Sequence, residues 1–137
     1  MAPRPISQSP FLGCLATRSE AEACAALNCC LAAAEERFRA YLAVADRLVA
    51  IDGAKPEWRM EQAYAHSNLG TVQNARGNVD AALEQFRLTV DVERALVAAD
   101  PAELRWQKEL ANGLSWLGEV LYGRGELEES RTFYEEA

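Results

Sequence analysis

The sequence predicts an all-α protein in which antiparallel helix–turn–helix units repeat and stack side by side as an α-solenoid. Three observations carry this expectation. The composition is rich in alanine, leucine, glutamate and arginine, all good helix formers, while glycines and prolines are few and clustered. The chain aligns with itself, without a gap, at an offset of 48 residues. The turn-forming residues fall between segments whose apolar positions keep helical spacing.

The repeat is the strongest of the three. At this offset Leu48-Val49-Ala50 meets Leu96-Val97-Ala98, Asp52 meets Asp100, and Trp58 meets Trp106. Glu61, Ala63 and Ser67 meet Glu109, Ala111 and Ser115, and Leu69-Gly70 meets Leu117-Gly118. Val72 meets Val120, and Arg76-Gly77 meets Arg124-Gly125. A weaker copy lies upstream, where Ala33, Ala34, Glu36, Phe38, Arg39 and Val44 face Ala81, Ala82, Glu84, Phe86, Arg87 and Val92. The first helix of that upstream unit is degenerate, with Ala21-Glu22 standing where Leu-Gly is wanted.

Each element follows from its punctuation. Thr17 and Glu20 form a capping box that opens a short helix over about residues 18–27. After a break near Asn28–Cys30, a long helix is expected over 31–52. Gly53-Ala54-Lys55-Pro56 is a loop, and a helix over 57–75 ends at Gly77, where a left-handed residue is needed. The next helix, 79–99, stops before Asp100-Pro101, because proline cannot continue a helix interior. The last pair covers 103–122 and 126–137, hinged at Gly123-Arg124-Gly125. The chain thus divides into an irregular segment 1–16, a degenerate first repeat 17–52, a full repeat 53–100, and a repeat 101–137 cut short in its second helix.

The pattern resembles the tetratricopeptide repeat, whose signature runs W-x2-L-G-x2-Y, then G, then A-x3-F, then P. Leu69, Gly70, Gly77, Ala82 and Phe86 occupy one set of those places, and Leu117, Gly118, Gly125 and Tyr134 the next. The chain departs from the signature where His66 and Leu114 replace its tryptophan and where Ser130 replaces an alanine. The ordinary repeat has about 34 residues, so each helix here gains about two turns, which keeps the same face inward. This long form is similar to repeats of large bacterial proteins.

In the family the first helix of each repeat lines a concave groove that receives a partner. Carried onto this chain, that face comprises Tyr64, Ser67, Thr71 and Asn74, then Asn112, Ser115, Glu119 and Tyr122. Tyrosines among hydroxyls and amides suit peptide recognition. No Lys or Arg falls on this face, so a clamp for a terminal carboxylate is not expected. Trp58 and Trp106 read as packing residues between neighbouring helices, and His66 as a half-buried residue opposite Leu114.

Charge narrows the partners. The net charge is −7, balanced over residues 1–56 and acidic beyond them, which disfavours nucleic acid and anionic membranes and tolerates a basic protein surface. No apolar run approaches the roughly 20 residues that span a bilayer, and Phe11–Ala16 is too short for a secretion signal. A cytoplasmic location is expected. Cys14, Cys24, Cys29 and Cys30 all lie in the first 30 residues. They fit free thiols better than a disulfide framework, with a thiol redox or metal module as the alternative.

No nucleophile–base pair, phosphate loop or metal-ligand cluster appears, so neither an enzyme nor a cofactor is expected. The functional expectation is a non-enzymatic scaffold that binds a peptide or protein in its groove. The alternative is a piece or regulatory array of a larger bacterial signalling protein. Leu127, Phe133 and Tyr134 would be left uncovered on the short last helix, which predicts either a continuing array or self-association there.

Overall fold

The computed structural model describes residues 20–137, apart from the side chains of residues 20, 21, 23 and 24. It contains α1 (Glu20–Ile51), α2 (Pro56–Ala75), α3 (Val79–Ala99), α4 (Leu104–Arg124) and α5 (Leu127–Glu136). Each helix packs chiefly against its neighbours in the chain, the arrangement of a solenoid rather than of a closed bundle. No strand occurs among the described residues, and no described helix is long and apolar enough to cross a membrane.

The inter-helix turns repeat as faithfully as the sequence does. Gly77 and Gly125 both adopt φ 84°, a left-handed conformation in which a Cβ is costly. Around them the same Schellman pair of hydrogen bonds recurs. Asn78 N–H donates to the Gln73 carbonyl at 2.9 Å and Gly77 N–H to that of Asn74 at 3.0 Å. The second copy runs from Glu126 to Leu121 at 3.0 Å and from Gly125 to Tyr122 at 2.9 Å. The other turns also match, with Asp52 N–H on Leu48 and Asp100 N–H on Leu96, both at 3.1 Å.

The core lies between successive helices. Phe86 and Val90 of α3 pack with Leu114, Leu117 and Leu121 of α4, joined by the half-buried Phe133 of α5. A second cluster gathers Met60, Ala63, Leu96 and Trp106, with Tyr64 at its edge. Gly70 admits the ring of Phe86 and Gly118 that of Tyr134: an added Cβ at either would lie 3.2 Å from ring carbons. Both glycines thus set how closely two helices approach.

Two expected helix bounds need correction. The break near Asn28–Cys30 is absent, and α1 is one helix of 32 residues. The segment holds no glycine or proline and is flanked by alanines, so nothing in it makes helix continuation expensive. Similarly, α4 runs through Gly123 to Arg124, and the left-handed residue is Gly125 alone. Thr17 of the expected capping box, Cys14 and the segment 1–16 lie outside the described residues.

The thiols also differ from expectation. Cys29 is an exposed free thiol, whereas Cys30 is disulfide-bonded. Among the described residues no cluster of three or more His, Cys, Asp or Glu is arranged to hold a metal ion.

Candidate functional site

Two helices, α2 and α4, line one face of the solenoid with α3 behind them. Their polar positions recur at three- and four-residue spacing, which keeps them on one side of each helix. A cavity of about 450 Å³ opens on this face. Thr71 and Asn74 of α2 form one wall, Trp116, Glu119 and Tyr122 of α4 the other, and Phe86 and Val120 contribute the apolar floor.

Four of the eight sequence-derived groove residues therefore meet at one place: Thr71, Asn74, Glu119 and Tyr122. The other four do not line it. Asn112 and Ser115 are exposed further along α4, and the Ser115 hydroxyl donates to the Ala111 carbonyl at 2.8 Å. Ser67 is half-buried, and its carbonyl accepts the Thr71 hydroxyl at 3.0 Å.

Tyr64 is drawn inward. It packs at the edge of the Met60–Trp106 cluster and donates its hydroxyl to Glu109 at 3.0 Å, tying α2 to α4. Burial and the hydrogen bond to Glu109 raise its pKa, opposed by a hydrogen bond to Arg105. A parallel bond joins Tyr41 of α1 to Glu61, the repeat equivalent of Glu109. There burial first, then Glu61, pushes the phenol up to about 12. Both tyrosines serve helix stacking.

Trp116 is the residue that sequence reasoning missed. It stands where the preceding repeat has Asn68, and it is 49% exposed at the cavity wall. The available signal was its spacing: Trp116, Glu119 and Tyr122 follow at i, i+3 and i+6, a single ridge along α4. Trp106 is buried in the core with Arg105 4.8 Å from its ring centroid, and the half-buried Trp58 carries Lys55 at 4.1 Å. His66 is half-buried, with Nδ1 2.7 Å from the Gln85 side-chain oxygen.

The electrostatics of the cavity are one-sided. Arg124 is the cationic residue of its lining, and its guanidinium is engaged by Asp80 and, at 3.0 Å, by Glu126. Glu119 has no ion-pair partner among the described residues. The next cation on its face of α4, Lys108, is three turns away, about 16 Å by helical rise and outside a screening length of about 8 Å.

A family model described as tetratricopeptide repeat matches the chain twice, over residues 63–87 and 111–136. The two matches begin 48 positions apart (111 against 63). No curated protein and no solved structure gives a match. Each match takes in the Leu-Gly pair, the left-handed glycine and the aromatic ring seated over the small residue, so these two segments are tetratricopeptide repeats.

Proposed function

We propose that this chain is a non-catalytic scaffold that holds a protein or peptide in the cavity between α2 and α4. Tetratricopeptide repeats generally mediate protein–protein interaction, and members of the family are typically scaffolds. The observation that carries the assignment to this face is the convergence of Trp116, Glu119 and Tyr122 on Thr71 and Asn74 around one open cavity. Aromatic area beside hydrogen-bonding groups is the composition of a peptide-binding surface. The cytoplasmic expectation draws no support from Cys30, since disulfides persist chiefly in oxidising compartments.

A photo-crosslinking amino acid at position 74, compared with one at Glu84 outside the cavity, tests the groove. Protein adducts formed from position 74 and not from 84 are expected in cells that express the chain. The same adducts from both positions would defeat the assignment. Tyr122→Ala, on an exposed side chain, should reduce the yield without loss of fold, whereas Tyr64→Ala would disturb the α2–α4 contact.

One observation favours self-association as a second reading. Tyr134 of α5 repeats Phe86 of α3, but Phe86 is 2% exposed beneath α4 while Tyr134 is 46% exposed. With Leu127 it leaves an apolar face on α5, of the kind that a following repeat or a second copy covers. Sedimentation equilibrium that fits a monomer at all concentrations, in wild type and Tyr134→Glu alike, would remove this reading.

A further inference from the structure

The two repeats can be compared at the groove itself. The skeleton is shared: Leu69-Gly70 and Leu117-Gly118, Val72 and Val120, Arg76-Gly77 and Arg124-Gly125 are identical between them. The ridge that faces the cavity is not shared. Asn68, Thr71 and Asn74 of α2 become Trp116, Glu119 and Tyr122 on α4. The first set shows that stacking requires no aromatic or charged group at these places. The second set therefore answers to something other than packing.

The chemistry of that ridge is specific. Glu119 lies between two aromatic residues, Trp116 at 49% and Tyr122 at 66% exposure, all three lining the cavity. An aromatic face attracts a cation by about 0.5–2 kcal/mol, the more as water is excluded. Arg124 does not supply that cation, because Asp80 and Glu126 already match its charge. Across the cavity, Thr71 spends its hydroxyl proton on the Ser67 carbonyl, which leaves its oxygen free to accept, and Asn74 offers an amide oxygen. A carboxylate, two aromatic faces and two neutral acceptors complement a flat group rich in N–H donors.

We infer that the cavity takes an arginine side chain of the partner, its stem against Trp116 and Tyr122 and its guanidinium against Glu119. The inference rests on the groove reading above and adds the partner's chemistry: a basic segment, with arginine preferred to lysine because its planar fork supplies more donors and stacks on aromatic rings.

The test uses the whole chain, labelled with 15N, and four acetylated, amidated pentapeptides Gly-Ser-X-Ser-Gly in which X is arginine, lysine, citrulline or glutamate. The Trp116 indole N–H signal is assigned by its loss in Trp116→Phe. The arginine peptide should shift that signal and the Asn74 side-chain amide saturably. Citrulline, which keeps the shape without the charge, should bind roughly fivefold more weakly, the worth of an exposed ion pair. Glu119→Gln should weaken arginine binding several-fold and citrulline binding by less, with arginine still ahead through the aromatic rings. Equal binding of arginine and citrulline, indifference to Glu119→Gln, or no shift at Trp116 with any peptide overturns the inference. If the neutral or acidic peptide shifts the same signals as strongly, the cation reading fails and the groove stands. If crosslinking from position 74 also gives nothing, both fail.

Discussion

The carboxylate of Glu93 on α3 fills the volume that a side chain on residue 113 of α4 would need. A Cβ built on Gly113 overlaps Glu93 Oε2 and lies 3.0 Å from its Cδ. Glu93 is 3% exposed, and Oε2 has no hydrogen-bond partner among the described residues. Burial, and then the charge of Glu109 on the facing helix, push its carboxyl up to about 8. Glu109 in turn accepts the Tyr64 hydroxyl of α2 at 3.0 Å.

This arrangement gives stability a pH dependence. The unfolded chain loses the Glu93 proton near the ordinary value of 4.5, while the folded chain keeps it to about 8. The stability tied to that proton is complete below about 4.5, declines as pH rises through the window, and levels off above about 8. The slope from this group is at most about 1.4 kcal/mol per pH unit. Urea unfolding at intervals from pH 5 to 9 should show the decline in wild type, and Glu93→Gln should flatten it. Parallel curves for the two proteins would refute the assignment.

The same pair predicts a rescue. The preceding repeat has Ala45 and Ala65, both fully buried, where this one has Glu93 and Gly113. Gly113→Ala alone should destabilise by about 1–3 kcal/mol through overpacking. Combined with Glu93→Ala it should cost far less, because the pair then matches Ala45 and Ala65 and alanine favours the helix. A double-mutant cycle by thermal unfolding measures the coupling, and additive losses would show that the two positions are independent.

Gly70 and Gly118 hold equivalent places under aromatic rings but should respond unequally to alanine. Phe86 over Gly70 is locked in the core, whereas Tyr134 over Gly118 is half open and can tilt away. Gly70→Ala should lower stability by about 1–3 kcal/mol, and Gly118→Ala by clearly less. Denaturant midpoints compare them directly.

Arg76 and Arg124 form a similar unequal pair. Both reach back from a glycine turn to the preceding second helix, Arg76 to Glu35 and Arg124 to Asp80. Among the described residues Glu35 is buried and keeps Arg39, at 2.5 Å, if Arg76 is removed, while Asp80 is almost fully solvated. Arg76→Ala should therefore cost more, by leaving a buried carboxylate half-matched. Arg124→Ala should stay within about 1 kcal/mol of wild type. Equal midpoint shifts would contradict this ordering.

Much of this protein was set by local rules that a linear sequence displays. Gly77 and Gly125 close helices in the left-handed region and Asp100-Pro101 follows the end of α3, whereas Pro56, expected in the loop, is the first residue of α2. The 48-residue spacing placed equivalent faces side by side. These features depend on backbone dihedrals, helix propensity and periodicity, which act over a few residues at a time.

What the tertiary structure decided depends on partners far along the chain. Tyr64 looks like a groove residue by spacing, yet Glu109, 45 positions away, draws its hydroxyl inward. Trp116 lines a cavity only because Thr71 and Asn74 of α2 stand across from it. Arg124 meets Asp80, 44 positions earlier in the chain. Glu93 lies in the interior where Gly113, 20 positions later, leaves room for it. In each case the side chain's environment is created by the packing of two helices, and a residue's own neighbours in sequence carry no record of the surface it will meet.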